Sequence, residues 1–187
     1  MKKFILLFTL IISLTIFGQE KFEFTKEKGL SEFVVTQIPG KSANEIFTKV
    51  NEWLQKTYKN PDYVLKGSVV NDYVRFEGVS NEVMAQNPEN KLIYTGFKIK
   101  YEIEIYVKDN RYKFAVTNLY RYSPGISQYV LPGWVTLEQF GTLVYNKKGE
   151  LRGGFKQLVN LPPFFDGLNE SLKNYVLNGS ISKGESW

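Results

Sequence analysis

The sequence contains neither cysteine nor histidine. Without cysteine there is no disulfide, no thiolate metal site and no thiol nucleophile. A lipoprotein anchor, which needs a cysteine at the cleavage point, is excluded as well. Without histidine the usual general base, the Ser-His-Asp triad and the commonest zinc ligand are also missing. Most familiar hydrolase mechanisms are closed, and no metal or cofactor is expected. A phosphate-cradling loop is lacking too: Arg152-Gly153-Gly154-Phe155 comes nearest, without the strand-loop-helix spacing such a loop requires. There is no internal repeat, low-complexity tract or linker long enough to divide domains.

What is present begins with a leader. Met1-Lys2-Lys3 supplies a positive start, and Phe4 to Phe17 is an almost unbroken apolar run. That run is shorter than the roughly 20 residues a membrane-spanning helix needs. Residues 1–18 therefore read as a secretory signal peptide cut after Gly18, with no transmembrane span left after its removal. The expected compartment is periplasmic or extracellular. Without Lys2 and Lys3 the balance is 22 basic against 19 acidic residues, too mild an excess to signal nucleic acid. Aromatics at 16% of the chain, with many Val and Ile, favour sheet in a single domain over residues 19–179. Residues 180–187 read as a loose tail.

Phe33 to Ile38 reads as a first strand closed by Pro39-Gly40. Ser42 and Glu45 have capping-box spacing, and Ala43, Ile46, Phe47, Val50, Trp53, Leu54 and Tyr58 follow at helical intervals. Residues 42–58 are thus an amphipathic helix. Residues 63–70 and 73–79 form a hairpin turning at Asn71-Asp72, with Lys66 facing Glu77 and Val69 facing Val74. From Phe97 to Tyr122 the pattern is clearest. Ile99, Tyr101, Ile103, Ile105 and Val107 alternate with Lys98, Lys100, Glu102, Glu104 and Tyr106, and Asp109-Asn110 makes the turn. The returning strand sets Tyr112, Phe114, Val116, Tyr120 and Tyr122 opposite Val107, Ile105, Ile103, Ile99 and Phe97 in one register. In that register Asn118 falls on the apolar face, marking either a bulge or the end of burial. Pro-Gly turns punctuate 123–133, and Asn146 to Gly149 makes another hairpin tip between short strands. Asp166 caps a final helix stopped by Gly179. The order strand-helix-four strands-helix calls for a two-layer α+β domain with helices on one face of an antiparallel sheet.

Particular segments carry a resemblance. Glu32 to Thr36 runs into Pro39-Gly40-Lys41-Ser42, then Glu45-Ile46-Phe47, Trp53-Leu54 and Tyr58-Lys59-Asn60-Pro61. Ile103-Glu104-Ile105 leads into Val107 to Phe114, and Lys148 to Arg152 and Leu168 to Tyr175 complete the set. With these the chain resembles a family of secreted Bacteroidota proteins known as a domain of unknown function with a TATA-binding-protein-like fold. The resemblance implies that fold and an exported location. It brings no activity and no site residue, and residues 80–96 and 123–145 fit it least.

Three candidate sites remain. Glu102 and Glu104 share a strand face and could in principle serve as the carboxylate pair of a glycan hydrolase. The plainer reading is a solvent-facing ladder with Lys98, Lys100 and Lys113. Those lysines, with Lys108, Arg111 and Arg121, make the second candidate, a mildly basic sheet face suited to anionic headgroups or glycans. Nucleic acid is not expected there, because the outward positions are charged rather than the apolar wedges that enter a minor groove. The third is the aromatic excursion of Tyr120, Arg121, Tyr122, Tyr129 and Trp134, which forms either a binding surface or a cover over an open end of the core. The leading expectation is a noncatalytic binding or accessory domain for an envelope protein or glycan.

Overall fold

The alternation read in the sequence governs the sheet of this computed structural model, which describes residues 20–81, 98–123, 125 and 131–179. The leader, the tail, Phe97 and Tyr129 lie outside the described residues. A two-strand hairpin, β1 (Phe24–Thr25) and β2 (Gly29–Leu30), precedes β3 (Phe33–Gln37) and α1 (Ala43–Thr57). Then come α2 (Pro61–Val64), β4 (Leu65–Val69), β5 (Tyr73–Ser80), β6 (Ile99–Lys108), β7 (Arg111–Ser123) and β8 (Gly133–Thr136). A 3-10 stretch, Gly153–Asn160, leads into α3 (Leu161–Asn178). The main sheet runs β3-β7-β6-β5-β4, with β8 joined to β7 beyond β3, and every pairing is antiparallel. This is the α+β architecture expected.

In β6, Ile99, Tyr101, Ile103, Ile105 and Val107 are all buried, while the residues between them face outward. Helix α1 packs on this apolar face through Ile46, Val50, Trp53 and Leu54. Helix α3 adds Leu161, Phe165, Leu168, Leu172, Tyr175 and Val176. Phe22, which the pattern did not single out, sits edge-on to Phe114 at 6.0 Å and beside Phe165 at 5.8 Å. Gly78 lies opposite Tyr101, and a Cβ there would clash with the hydroxyl end of the Tyr101 ring, so the close approach favours glycine.

Four local expectations are corrected. The β6–β7 register holds from Lys108↔Arg111 to Ile103↔Val116, then jumps to Glu102↔Asn118. Thr117 is the extra residue of a bulge, so beyond it Leu119 is buried opposite Tyr101, and Tyr120 and Tyr122 turn to the other face. In β4–β5, Val69 pairs with Tyr73 across residues 70–72, where Asn71 takes a left-handed φ of 63°. Ser68 rather than Val69 then faces Val74, and Lys66 falls in an irregularity between Leu65 and Gly67 instead of facing Glu77. Residues 61–64 form a helical turn started by Pro61, which pre-sets φ at a first helical position. Helix α3 starts at Leu161, not Asp166, because Pro162 and Pro163 suit its first turn. Asp166 instead accepts the Phe22 N–H at 2.8 Å. Gly179 ends α3 in a left-handed conformation, as expected, and Tyr145↔Leu151 closes the small hairpin around Asn146–Gly149.

Polar bonds fix the helices to the sheet. The buried Tyr112 hydroxyl donates to Asn169 Oδ1 at 2.8 Å, and Asn169 Nδ2 donates to Thr36 Oγ1 at 3.0 Å. Burial pushes the Tyr112 phenol pKa well above its ordinary value. Trp53 Nε1 donates to Ser171 Oγ at 3.1 Å, joining α1 to α3. At the β6–β7 turn, Asp109 Oδ1 accepts the Ala43 N–H and Asn110 Oδ1 accepts the Gly40 N–H, both at 2.8 Å. The turn therefore holds the start of α1.

Two outcomes follow for stability. Asn169→Ala strands a buried phenol and a threonine hydroxyl, and should cost about 1–3 kcal/mol, read as a lower denaturation midpoint at unchanged m-value. The Ser42 backbone N–H, then the Ser42 hydroxyl, then Lys41 lower the Glu45 pKa to about 2. A depressed carboxyl stabilises the fold above its unfolded value near 4.5 and loses that contribution as pH falls toward 2. Glu45→Gln, which preserves the capping geometry, should flatten the stability–pH curve across that window.

Candidate functional site

Both long helices lie on one face of the sheet, and among the described residues the other face is left open. On it, cross-strand rows run from β5 through β6 to β7 and out to β3 or β8. Glu102 and Glu104 both stand here, as their spacing required, but each is engaged. Glu104 accepts the Tyr73 hydroxyl at 2.9 Å on one oxygen and the Tyr106 hydroxyl at 2.7 Å on the other. The two rings lie 5.0 Å apart. Burial, then the bond to Glu104, pushes the Tyr73 phenol up to about 12; for Tyr106 the bond to Glu104 is the first cause of its rise. Glu102 lies 4.0 Å from Arg75 Nη1 and accepts from Thr117 Oγ1 and Asn118 Nδ2 at 3.4 Å each. Lys100 pairs with Glu77 at 3.4 Å. These contacts make a neutralising ladder; a glycoside hydrolase needs one carboxyl free to protonate its substrate and the other free to attack it or a water.

At one end of the face the rings gather. Strand β8 places Trp134 opposite Tyr122, their rings 5.4 Å apart and edge-on. The Lys100 ammonium lies 4.8 Å from the centre of the Tyr120 ring and 5.6 Å from that of Trp134, within cation–π range. Lys98 is exposed and in line with Tyr122, whose N–H its carbonyl accepts at 2.8 Å. Tyr120, Tyr122 and Trp134 thus form part of the open face rather than folding over an end of the core. Arg121 does not join them: it opposes Ile99 and falls on the helix-bearing side.

At the other end Lys113 lies 4.1 Å from the Tyr106 ring centre and 5.4 Å from that of Phe33. Beside it is a hollow of about 310 Å³ lined by Val35, Tyr106, Lys108, Arg111, Tyr112 and Lys113. A groove of about 490 Å³ lies off the face, between β3 and α3, with Gln37, Asp166, Asn169, Glu170 and Lys173 among its walls. Burial raises the Asp166 pKa. Neither recess is lined by Glu102 or Glu104. Among the described residues no three acidic groups converge to hold a metal ion, and no helix is long and apolar enough to cross a membrane.

The Tyr73–Glu104–Tyr106 cluster can be read directly. In Glu104→Gln the Tyr106 phenol should titrate closer to its ordinary value, and Tyr73, held up first by burial, should fall less; ring-carbon NMR of tyrosine across pH 9–13 measures both.

Residues 33–122 match the model of a domain of unknown function (DUF4468) with TBP-like fold. A crystal structure of a DUF4468 family protein from Bacteroides ovatus superposes with a TM-score of 0.54 at 12% identity, covering 81% of this chain and 87% of that one. A TBP-like protein from Parabacteroides distasonis gives a TM-score of 0.51 at 16% identity, covering 78% and 91%. At such identities the likeness is one of fold. No curated protein matches the chain.

Proposed function

Because the chain carries a DUF4468 domain with a TBP-like fold, a description that assigns no activity, we propose from its surface that it is a noncatalytic binding or accessory domain of the cell envelope, exported by its leader. The observation that carries this reading is the aromatic end of the open face. Tyr120, Tyr122 and Trp134 stand there around Lys100, and Tyr and Trp are among the side chains that dominate interface hot spots. Trp134 and Val135 are exposed on β8, a strand that pairs only with β7 among the described residues. A protein partner is favoured, since an aromatic anchor beside an exposed strand edge offers both pocket and main-chain contacts. The engaged state of Glu102 and Glu104 weighs against the glycan hydrolase.

In-cell crosslinking of a tagged copy, followed by mass spectrometry, tests the reading. A dominant envelope protein should be captured, and Trp134→Ala or Tyr122→Ala should weaken its binding roughly thirtyfold, in keeping with hot-spot losses of about 2 kcal/mol, and cut its recovery accordingly, with the unfolding midpoint little changed. Capture unaffected by either substitution would remove this surface from the proposal. Glycan cleavage abolished by Glu104→Gln would replace it with the hydrolase.

A further inference from the structure

The hollow at the β6–β7 turn lies at the opposite end of the open face from Trp134, and it stands independently of the partner proposed above. Three of its lining residues, Lys108, Arg111 and Lys113, are cations, and none is a carboxylate. Lys108 and Arg111 are directly opposed across the two strands. Like charges in that position destabilise a sheet, so the arrangement carries a cost within the protein. Two of the three nearby acids are occupied elsewhere. Asp109, between the two cations in sequence, turns to the start of α1 and accepts the Ala43 N–H at 2.8 Å. Glu104 is held by the hydroxyls of Tyr73 and Tyr106. Asp72, near enough to act on Tyr106, forms no ion pair with the three cations. Among the described residues none of the three is paired with a carboxylate. Lys113 is additionally steadied over the Tyr106 ring at 4.1 Å.

We infer that this hollow is a binding site for a phosphate group, free or carried on a lipid headgroup, held by Lys108, Arg111 and Lys113. Arg111 can offer two parallel N–H donors to two oxygens, and the lysines add point charges. The anion would relieve the opposed like charges, while Val35 and the Tyr106 ring give its substituent an apolar wall. At about 310 Å³ the space is ample for phosphate with a small ester group.

The test is an NMR titration of isotope-labelled protein with sodium phosphate against sodium chloride at matched ionic strength. Saturable shifts specific to phosphate should concentrate on Lys108, Arg111 and Lys113, and Arg111→Gln should weaken the affinity about tenfold or more. Lys108→Glu should abolish the shifts and raise the melting temperature, because the opposed pair becomes attractive. Trp134→Ala should leave them intact, which separates this site from the aromatic end. Cosedimentation with phosphatidylglycerol but not phosphatidylcholine vesicles, competed by phosphate, would make the source a lipid headgroup. Saturable phosphate binding without vesicle binding would make it a soluble phosphate. Shifts equal in phosphate and chloride, or spread over surface lysines at large, would overturn the inference.

Discussion

Among the described residues, strand β7 must satisfy more neighbours than any other strand. It pairs with β6 along most of its length, with β3 over Arg111–Ala115 and with β8 over Tyr120–Ser123. Strict alternation would send Tyr120 and Tyr122 into the core and Leu119 out to solvent. One extra residue, Thr117, reverses that parity midway, because an odd insertion exchanges the two faces of a strand. The first half of β7 then lines the core through Tyr112 and Phe114, and the second half shows its rings on the open side. Both the packing and the candidate surface depend on that one-residue irregularity.

The helices depend on β7 in a different way. Tyr112 reaches from it to Asn169 on α3, which in turn reaches Thr36 on β3. Buried polar groups are tolerated only when partnered, so this chain of bonds admits one placement of α3 where apolar contact alone would admit several. At the far end of the hairpin, Asp109 and Asn110 do the same for α1 through Ala43 and Gly40. Helix positions are thus set by a few directional bonds laid over an apolar interface, which supplies most of the stabilisation without dictating the register.

Much of this was legible in the residues, for identifiable reasons. Helix α1 declared itself through Ser42, Glu45 and a periodic apolar stripe, and β6 through unbroken alternation. Local rules suffice for both. The bulge at Thr117 was visible only as a polar Asn118 in an apolar register, and alternation alone could not choose between a bulge and a frayed end. Strand β8 is too short for a period to show, and Pro132-Gly133 suggested only a turn. The start of α3 was missed because Asp166 resembles a cap, although Pro162-Pro163 carried the truer signal. For the site, the spacing correctly put Lys98, Lys100, Glu102, Glu104 and Lys113 on one face. It could not show that Glu104 is held by two tyrosines, since Tyr73 lies on another strand. It put Arg121 among the outward cations because the bulge was not applied.

The two ends of the sheet are unequal in one further respect. At the Asp109-Asn110 end the connection is minimal and bonded into α1. At the other, the chain leaves after Ser80 and returns at Ile99, and leaves again after Ser123 to return at Gly133. Ser80 pairs with Ile99, and Ser123 with Gly133, so both long connections open from the same end as Trp134. The strand ends that flank each connection are already paired, so a longer connection there adds only the slowly growing entropy of loop closure. An engineer seeking a place to splice in a reporter peptide would start at that end, where the sheet pairing is closed on both sides of each insertion point.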